Sequence, residues 1–154
     1  MPRILRPILL ATLVAGTLDI LAAIGLTLFY GRRTVAEMLQ GVASGPFPGA
    51  SQWGTNGAAL GLAVHFALMA IMVAVYVAAA ARLPALRARP LLWGTLYGLA
   101  TYVVMNLIVV PLRFEGAWPP SVRGIVTQLF CHIVLVGIPT ALIAARQLRP
   151  RPFA

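Results

Sequence analysis

The hydrophobic and polar positions divide the chain into four long apolar stretches joined by shorter polar segments. The stretches cover about residues 5–30, 57–81, 91–112 and 123–145. About 20 apolar residues cross the hydrocarbon core of a bilayer as a helix, and each such helix satisfies its own backbone hydrogen bonds. The pattern therefore predicts an all-α polytopic membrane protein, a four-transmembrane-helix up-and-down bundle forming one domain over residues 1–154. The short connection at residues 82–90 predicts that the second and third spans are antiparallel neighbours.

The segment between the first two stretches predicts a further, short helix. Thr34 and Glu37 have the spacing of a capping box, in which each side chain accepts a hydrogen bond from the backbone of the other. Apolar residues then recur at helical spacing, at Val35, Met38, Leu39 and Val42. Gly45 and Pro46 end the pattern. We expect this helix to lie in the membrane interface, in the first outer loop.

Composition supports the membrane assignment, and the placement of the charges argues against nucleic-acid binding. The chain is 60% hydrophobic and only 10% charged, whereas soluble domains carry about 25% charged residues. Its net charge is +9, and all twelve basic residues are arginines. These arginines lie beside the apolar stretches, where they set membrane orientation, and do not form a clustered nucleic-acid-binding face. We therefore expect the lipid bilayer as a partner and no nucleic acid.

The distribution of the arginines predicts the orientation. Eight lie at the termini and in the connection between the second and third stretches, and four lie on the other side. The eight are Arg3, Arg6, Arg82, Arg87, Arg89, Arg146, Arg149 and Arg151, and the four are Arg32, Arg33, Arg113 and Arg123. By the positive-inside rule, both termini are cytoplasmic, and residues 31–56 and 113–122 lie outside.

Each apolar stretch carries one strongly polar residue near its middle: Asp19, His65, Asn106 and His132. With a rise of about 1.5 Å per residue, all four fall in one layer in the outer half of the membrane. Supporting residues of similar character lie one helical turn away, namely Gly61, Tyr102 and Gln128. A charge at the bilayer centre costs on the order of 3 kcal/mol or more, so we expect this polar layer to face the bundle interior.

Two further features of the third and fourth stretches bear on helix packing. Gly94 and Gly98 form a GxxxG pattern, which favours close approach of a neighbouring helix. Pro139 should bend the fourth helix and free a carbonyl, because proline has no backbone N–H and its ring crowds the preceding turn.

Three interpretations of the polar layer are open. Asp–His or Asn–His hydrogen bonds would hold the helices together in a non-catalytic accessory or assembly subunit of a larger complex. Intramembrane ionisable groups also mark proton and cation paths. Finally, Asp19, His65 and His132 match the 2-His-1-carboxylate set of non-haem iron, and two histidines can ligate haem. No catalytic motif is present, so we predict no catalytic residue and assign no cofactor.

The chain resembles the YagU-like family of small bacterial inner-membrane proteins between His65 and His132. The resemblance rests on HFALMAIMVAVYVAAAARLP at 65–84, GTLYG at 94–98, VVPL at 109–112 and LFCH at 129–132. A weaker similarity lies around Gly16 to Gly25. It implies the bacterial inner membrane and no particular activity. In that family the position of Asp19 can hold a small hydroxyl residue and that of Asn106 a histidine, which favours His65 and His132 as the functional residues.

The sequence therefore predicts a small multi-pass protein of the bacterial inner membrane that handles protons or cations through its polar layer. Four spans are expected to enclose little room for a solute path. We therefore expect either a homo-oligomer or larger membrane complex, or a very small permeant ion.

Overall fold

The computed structural model describes residues 2–116 and 118–148, with side chains from Ile4 onward. Within these residues it has four helices long and apolar enough to cross a membrane, Ile4–Tyr30, Gly54–Arg82, Pro90–Arg113 and Val122–Gln147. We call them spans 1 to 4. The all-helical fold predicted from the sequence is confirmed. Arg149 and Arg151, two of the arginines used to predict orientation, lie outside the described residues, as does the Arg3 side chain.

Spans 1 and 2 are continuous α-helices, Pro2–Tyr30 and Gly54–Arg82. The predicted short helix between them is present at Val35–Ser44, and we call it the loop helix. A 3-10 turn follows it at Pro48–Gln52, and a short helix, Pro84–Ala88, joins spans 2 and 3. The end of the bundle that carries the loop helix is called the loop-helix end below.

Spans 3 and 4 each contain a wider, π-helical segment. Span 3 consists of Pro90–Tyr102, the π segment Val103–Val109, and Val110–Arg113. Span 4 consists of Val122–Phe130, the π segment Cys131–Gly137, and Ile138–Gln147. Asn106 and His132 therefore both lie on π segments, which are rare and often occur at functional sites.

Prolines explain where the π segments end. The N–H of Val110 donates to Met105 and the N–H of Ile138 donates to Ile133, so each bond spans five residues. A proline follows each donor directly, Pro111 in span 3 and Pro139 in span 4. Since a proline ring crowds the carbonyl four residues earlier, a wider turn relieves the clash. The sequence analysis identified the proline in span 4 and overlooked the one in span 3.

Span 4 packs against each of the other three spans, and span 1 packs against spans 2 and 4. Spans 2 and 3 meet near their short connection, where the hydroxyl of Tyr97 donates to the Met72 carbonyl at 2.6 Å. The Tyr76 and Tyr97 rings lie 4.9 Å apart at the same place. Towards the loop-helix end the two spans line opposite walls of a cavity. They are thus neighbours near the connection, as predicted, but not along their whole length.

The end of the bundle opposite the loop helix is closed by a tightly packed core. Its buried residues are Ala11, Val73, Tyr76, Val77, Ala80, Ala141, Ala144 and Leu148. Alanine at helix contacts lets backbones approach closely, which is the main source of packing energy between helices in lipid. The outward faces carry large apolar side chains such as Leu13, Leu21 and Ile71, as a lipid-facing surface requires.

Candidate functional site: a polar cavity between the spans

A cavity of about 800 Å³ lies between the spans at the loop-helix end. Asp19, His65, Asn106 and His132, one from each span, all line it. The structure therefore brings together the four polar residues that the sequence placed in one layer. The cavity leaves more room between spans 2 and 3 than the sequence suggested, but the packed core fills the opposite end of the bundle.

Close contact between spans 3 and 4 positions the polar residues of these two helices. A Cβ atom added at Gly98 would collide with the backbone of His132 and Ile133, and one added at Gly94 would lie 2.8 Å from Ile138 Cα. The predicted GxxxG contact is thus confirmed. It brings the turns that follow Gly98 in span 3 alongside the His132 side chain.

His132 is held through both ring nitrogens. Its Nδ1 lies 3.2 Å from Thr101 Oγ1, and its Nε2 lies 3.0 Å from Asn106 Nδ2. The Thr101 hydroxyl donates to the Gly98 carbonyl at 2.9 Å. In the neutral tautomer protonated at Nδ1, His132 therefore donates to the Thr101 oxygen and its Nε2 accepts from the Asn106 amide. A neutral His132 is therefore fully hydrogen-bonded by neutral groups, and Tyr102 covers its ring edge-on at 6.1 Å.

His65 has a different set of partners. Its Nε2 lies 2.9 Å from the carbonyl oxygen of Gly16 in span 1, and its Nδ1 lies 3.9 Å from Asp19 Oδ2. The His65 ring is buried and has the Phe66 ring edge-on at 5.2 Å. The Asp19 side chain stays about one quarter exposed (26%), towards the cavity that it lines.

The partners of His65 limit where protons can reside. A carbonyl oxygen only accepts, so His65 Nε2 carries a hydrogen. Its Nδ1 faces Asp19 Oδ2 at 3.9 Å, which is longer than a direct hydrogen bond. An imidazole nitrogen and a carboxylate can each bind a proton, so two proton acceptors lie next to each other on the cavity wall.

The cavity is covered at this end by Gly41 and Val42 of the loop helix and by Gly45 and Pro46, which follow it. We call this covering segment the roof. Gly57 and Gly61 of span 2 allow it to pack there, since a Cβ added to them would collide with the carbonyls of Ala50 and Leu39. Gly57 and Gly61, which precede His65 in span 2, therefore pack against the loop helix and the 3-10 turn and not against another span. Gln40 adds a hydrogen bond from its side-chain amide to the Gly54 carbonyl, at 2.9 Å.

Both ends of the loop helix are fixed. The predicted capping box is confirmed, with Thr34 N donating to Glu37 Oε2 at 2.6 Å and Glu37 N donating to Thr34 Oγ1 at 3.2 Å. The bond from the Thr34 backbone, followed by that from its hydroxyl, lowers the pKa of the Glu37 carboxyl. At the other end Arg113 of span 3 donates to the carbonyls of Gly45 at 2.6 Å and Ser44 at 2.7 Å, where a cation also complements the helix dipole.

Much of the cavity lining is apolar. Three methionines contribute to it, Met69 and Met72 from span 2 and Met105 from span 3, together with Val64, Leu68, Val109 and Val136. Gln128, a predicted supporting residue, faces the polar part of the cavity, while Arg33 and Arg113 lie at the roof. The cavity is therefore amphipathic.

The arrangement does not fit the metal and haem interpretations. Within the described residues, no three His, Cys, Asp or Glu side chains are grouped closely enough to hold a metal ion, so Asp19, His65 and His132 do not form a ligand triad. A histidine also needs a free nitrogen lone pair to ligate haem iron. His132 uses its lone pair on Asn106, and His65 Nδ1 faces Asp19.

Sequence reasoning missed three groups that shape the site: Thr101, the Gly16 carbonyl and Arg113. Thr101 gave no signal because a threonine in a membrane helix usually bonds within its own helix. The Gly16 carbonyl cannot be recognised from residue types. Arg113 was counted only for orientation, although its position at the end of a span next to a loop of glycine and proline suggests a helix-capping role.

Comparison with family models, curated proteins and solved structures gives no match for this chain, so its resemblance to the YagU-like family stays a prediction.

Proposed function

We propose that this chain is a small multi-pass protein of the bacterial inner membrane that takes up and releases protons at the Asp19–His65 pair. The observation that carries the proposal is the geometry of the pair: His65 Nε2 is committed to the Gly16 carbonyl, and Nδ1 faces Asp19 at 3.9 Å. A carboxylate and an imidazole placed so, on the wall of a cavity, exchange a proton when a small side-chain movement brings them within hydrogen-bond distance. The resemblance to a family of inner-membrane proteins supports the location.

Access to the pair is from the loop-helix end. Gln128 and Arg33 line the main cavity and also a second cavity at the ends of spans 1 and 4. The opposite end is closed by the alanine-rich core and by the contact of Tyr97 with Met72. Protons thus reach the pair from one side, and transfer across the membrane requires this packing to open.

Proton flux in liposomes tests the proposal. Purified protein is reconstituted with an internal pH-sensitive dye, and a pH gradient is imposed. We expect faster dissipation than in empty liposomes, and its loss in Asp19→Asn and His65→Gln. Glu115→Gln is the matched control, because it removes a carboxyl outside the cavity lining. Flux equal to that of empty liposomes, or unchanged flux in Asp19→Asn, would contradict the proposal.

The second candidate function is an accessory or assembly subunit, either of a larger membrane complex or of a homo-oligomer. It is supported by the bonds between spans: Gly16 to His65 joins spans 1 and 2, and Thr101 and Asn106 to His132 join spans 3 and 4. Under this function the polar layer stabilises the bundle. Asp19→Asn then lowers thermal stability and the yield of co-purified partners, and changes no flux.

The proposed orientation places the loop-helix end outside. Ser51 is exposed at that end, and Ala85 is exposed in the connection at the other. With the buried Cys131 replaced by Ala, Ser51→Cys should react in whole cells with an impermeant thiol reagent, and Ala85→Cys should react only after lysis. The reverse labelling would overturn the orientation.

A further inference from the structure

A second cavity, of about 440 Å³, lies where span 1 ends and span 4 begins. Three arginines line it, Arg32 and Arg33 after span 1 and Arg123 in the first turn of span 4. Of the described residues that line this cavity, none is acidic. Like charges gathered in one lining repel one another, so this arrangement favours an anionic occupant. We call it the arginine cavity.

Local contacts hold the arginine cavity in shape. The guanidinium of Arg123 lies over the Tyr30 ring, 5.3 Å from its centroid, and both residues line the cavity. Ser121 caps span 4 by accepting from the Gly124 N–H at 3.1 Å. The Glu37 carboxylate lies outside the cavity lining and accepts from Thr34, although the charge of Arg33 also helps to lower its pKa. Arg32 and Arg123 therefore remain available to a ligand, and Arg33 is partly balanced by Glu37.

The other residues that line the arginine cavity indicate a ligand with both polar and apolar parts. Ala23, Leu26 and Met38 supply apolar surface, and Thr27, Thr127 and Gln128 supply polar surface. Cavities of about 300–1,000 Å³ accommodate organic molecules, so this one has room for more than a bare ion. It also lies at the ends of two spans, at the level of lipid headgroups.

We propose that the arginine cavity binds a phosphate ester, either the headgroup of an anionic phospholipid or a soluble phosphate monoester. Guanidinium groups bind phosphate oxygens through paired N–H donors, and basic pockets between membrane helices recognise lipid headgroups in this way. The apolar wall accommodates the carbon portion of the ester. This inference goes beyond the proposed proton exchange and does not depend on it.

Binding is measured on delipidated protein in a neutral detergent and a phosphate-free buffer. Phosphatidylglycerol and phosphatidylcholine are titrated separately and the bound lipid is counted by native mass spectrometry. Glycerol 3-phosphate is titrated by thermal shift. Saturable retention of phosphatidylglycerol over phosphatidylcholine identifies the lipid source. A thermal shift with glycerol 3-phosphate alone identifies the soluble source, and the absence of both responses overturns the proposal.

Substitutions of the cavity arginines test whether the phosphate ester binds in the arginine cavity. Arg123→Gln should raise the Kd about tenfold or more, since it removes charge-assisted hydrogen bonds. Arg32→Gln gives a second reading if Arg123→Gln folds poorly, because Arg32 is exposed and makes none of the described hydrogen bonds. Arg89→Gln, at the opposite end, is the matched control and should bind as the unmodified protein does. Equal binding in the unmodified protein and both cavity variants, or an equal loss in Arg89→Gln, would overturn the proposal.

Discussion

The two histidines of this chain line the same cavity but have opposite surroundings. His132 is bonded to a hydroxyl and an amide, so each of its ring nitrogens has a neutral partner. His65 is bonded to a backbone carbonyl on one side and faces a carboxylate on the other. The first arrangement joins two helices through neutral groups, whereas the second places two proton acceptors next to each other.

The difference shows that burial and residue type do not decide the role of a polar group in a membrane. Both histidines are similarly buried, at 9% and 8% relative exposure, so depth does not distinguish them. Their neighbours do: neutral partners stabilise one tautomer, whereas a carboxylate partner supplies a second site for the proton. Three predictions test this contrast and a fourth tests the loop helix over the cavity, from the largest expected effect to the smallest.

The largest contrast is expected in proton flux. His65→Gln should abolish flux in liposomes, because glutamine cannot hold the exchanged proton. His132→Gln should retain most of the flux, because that side chain connects spans 3 and 4 and exchanges no proton in this account. An equal loss of flux in the two variants would contradict the different roles assigned to His65 and His132.

Thermal stability, unlike flux, should depend on the packing around His132. Gly98, which lies against the His132 backbone, provides the test. Gly98→Ala places a Cβ against the backbone of His132 and Ile133 and should cost about 1–3 kcal/mol of stability by overpacking. Gly25→Ala is the control, because nothing lies within 4 Å of a Cβ there and alanine favours the helix. Thermal unfolding in detergent measures both. A Gly98→Ala variant as stable as the control would mean that spans 3 and 4 do not pack as described.

Removing one hydrogen bond of His132 should have a smaller effect. Thr101→Val keeps the side-chain shape and deletes the acceptor for His132 Nδ1–H. Hydrogen bonds between membrane helices average about 0.6 kcal/mol, with a maximum of about 1.7 kcal/mol, so we expect a loss within that range. The matched variant Thr17→Val, on an exposed face of span 1, should leave the unfolding temperature unchanged.

The smallest effect is expected at the cap of the loop helix. Because hydrogen bonds from Thr34 lower the pKa of Glu37 in the folded protein, this cap stabilises fully above the ordinary carboxyl pKa of 4.5. The stabilisation is lost as the pH falls through the lowered folded value. The protection of the amides of residues 34–38 against hydrogen exchange, corrected for the intrinsic effect of pH on exchange, should therefore fall on acidification. Glu37→Gln should remove most of that pH dependence, and an unchanged dependence would show that another group causes it.

Sequence patterns predicted those features that depend on one helix or on adjacent residues. The capping box at Thr34 and Glu37 and the small-residue contact at Gly98 are local, and helical periodicity placed Asp19 and His132 at similar depth. Periodicity does not specify which helix a given face contacts. The roof over the cavity and the separation of spans 2 and 3 could therefore not be predicted, because both depend on contacts between distant residues such as Arg113 and Gly45.

The central claim is that Asp19 and His65 share the exchangeable proton, whereas His132 is a fixed neutral imidazole. Nitrogen NMR of protein labelled with ¹⁵N only in histidine tests it directly, with His65→Gln and His132→Gln assigning the two rings. At neutral pH the account predicts His132 with a protonated Nδ1 and a bare Nε2, and His65 with a protonated Nε2. Asp19→Asn should shift the Nδ1 signal of His65 and leave both signals of His132 in place. A His132 protonated at Nε2, or a His65 spectrum unaffected by Asp19→Asn, would contradict it.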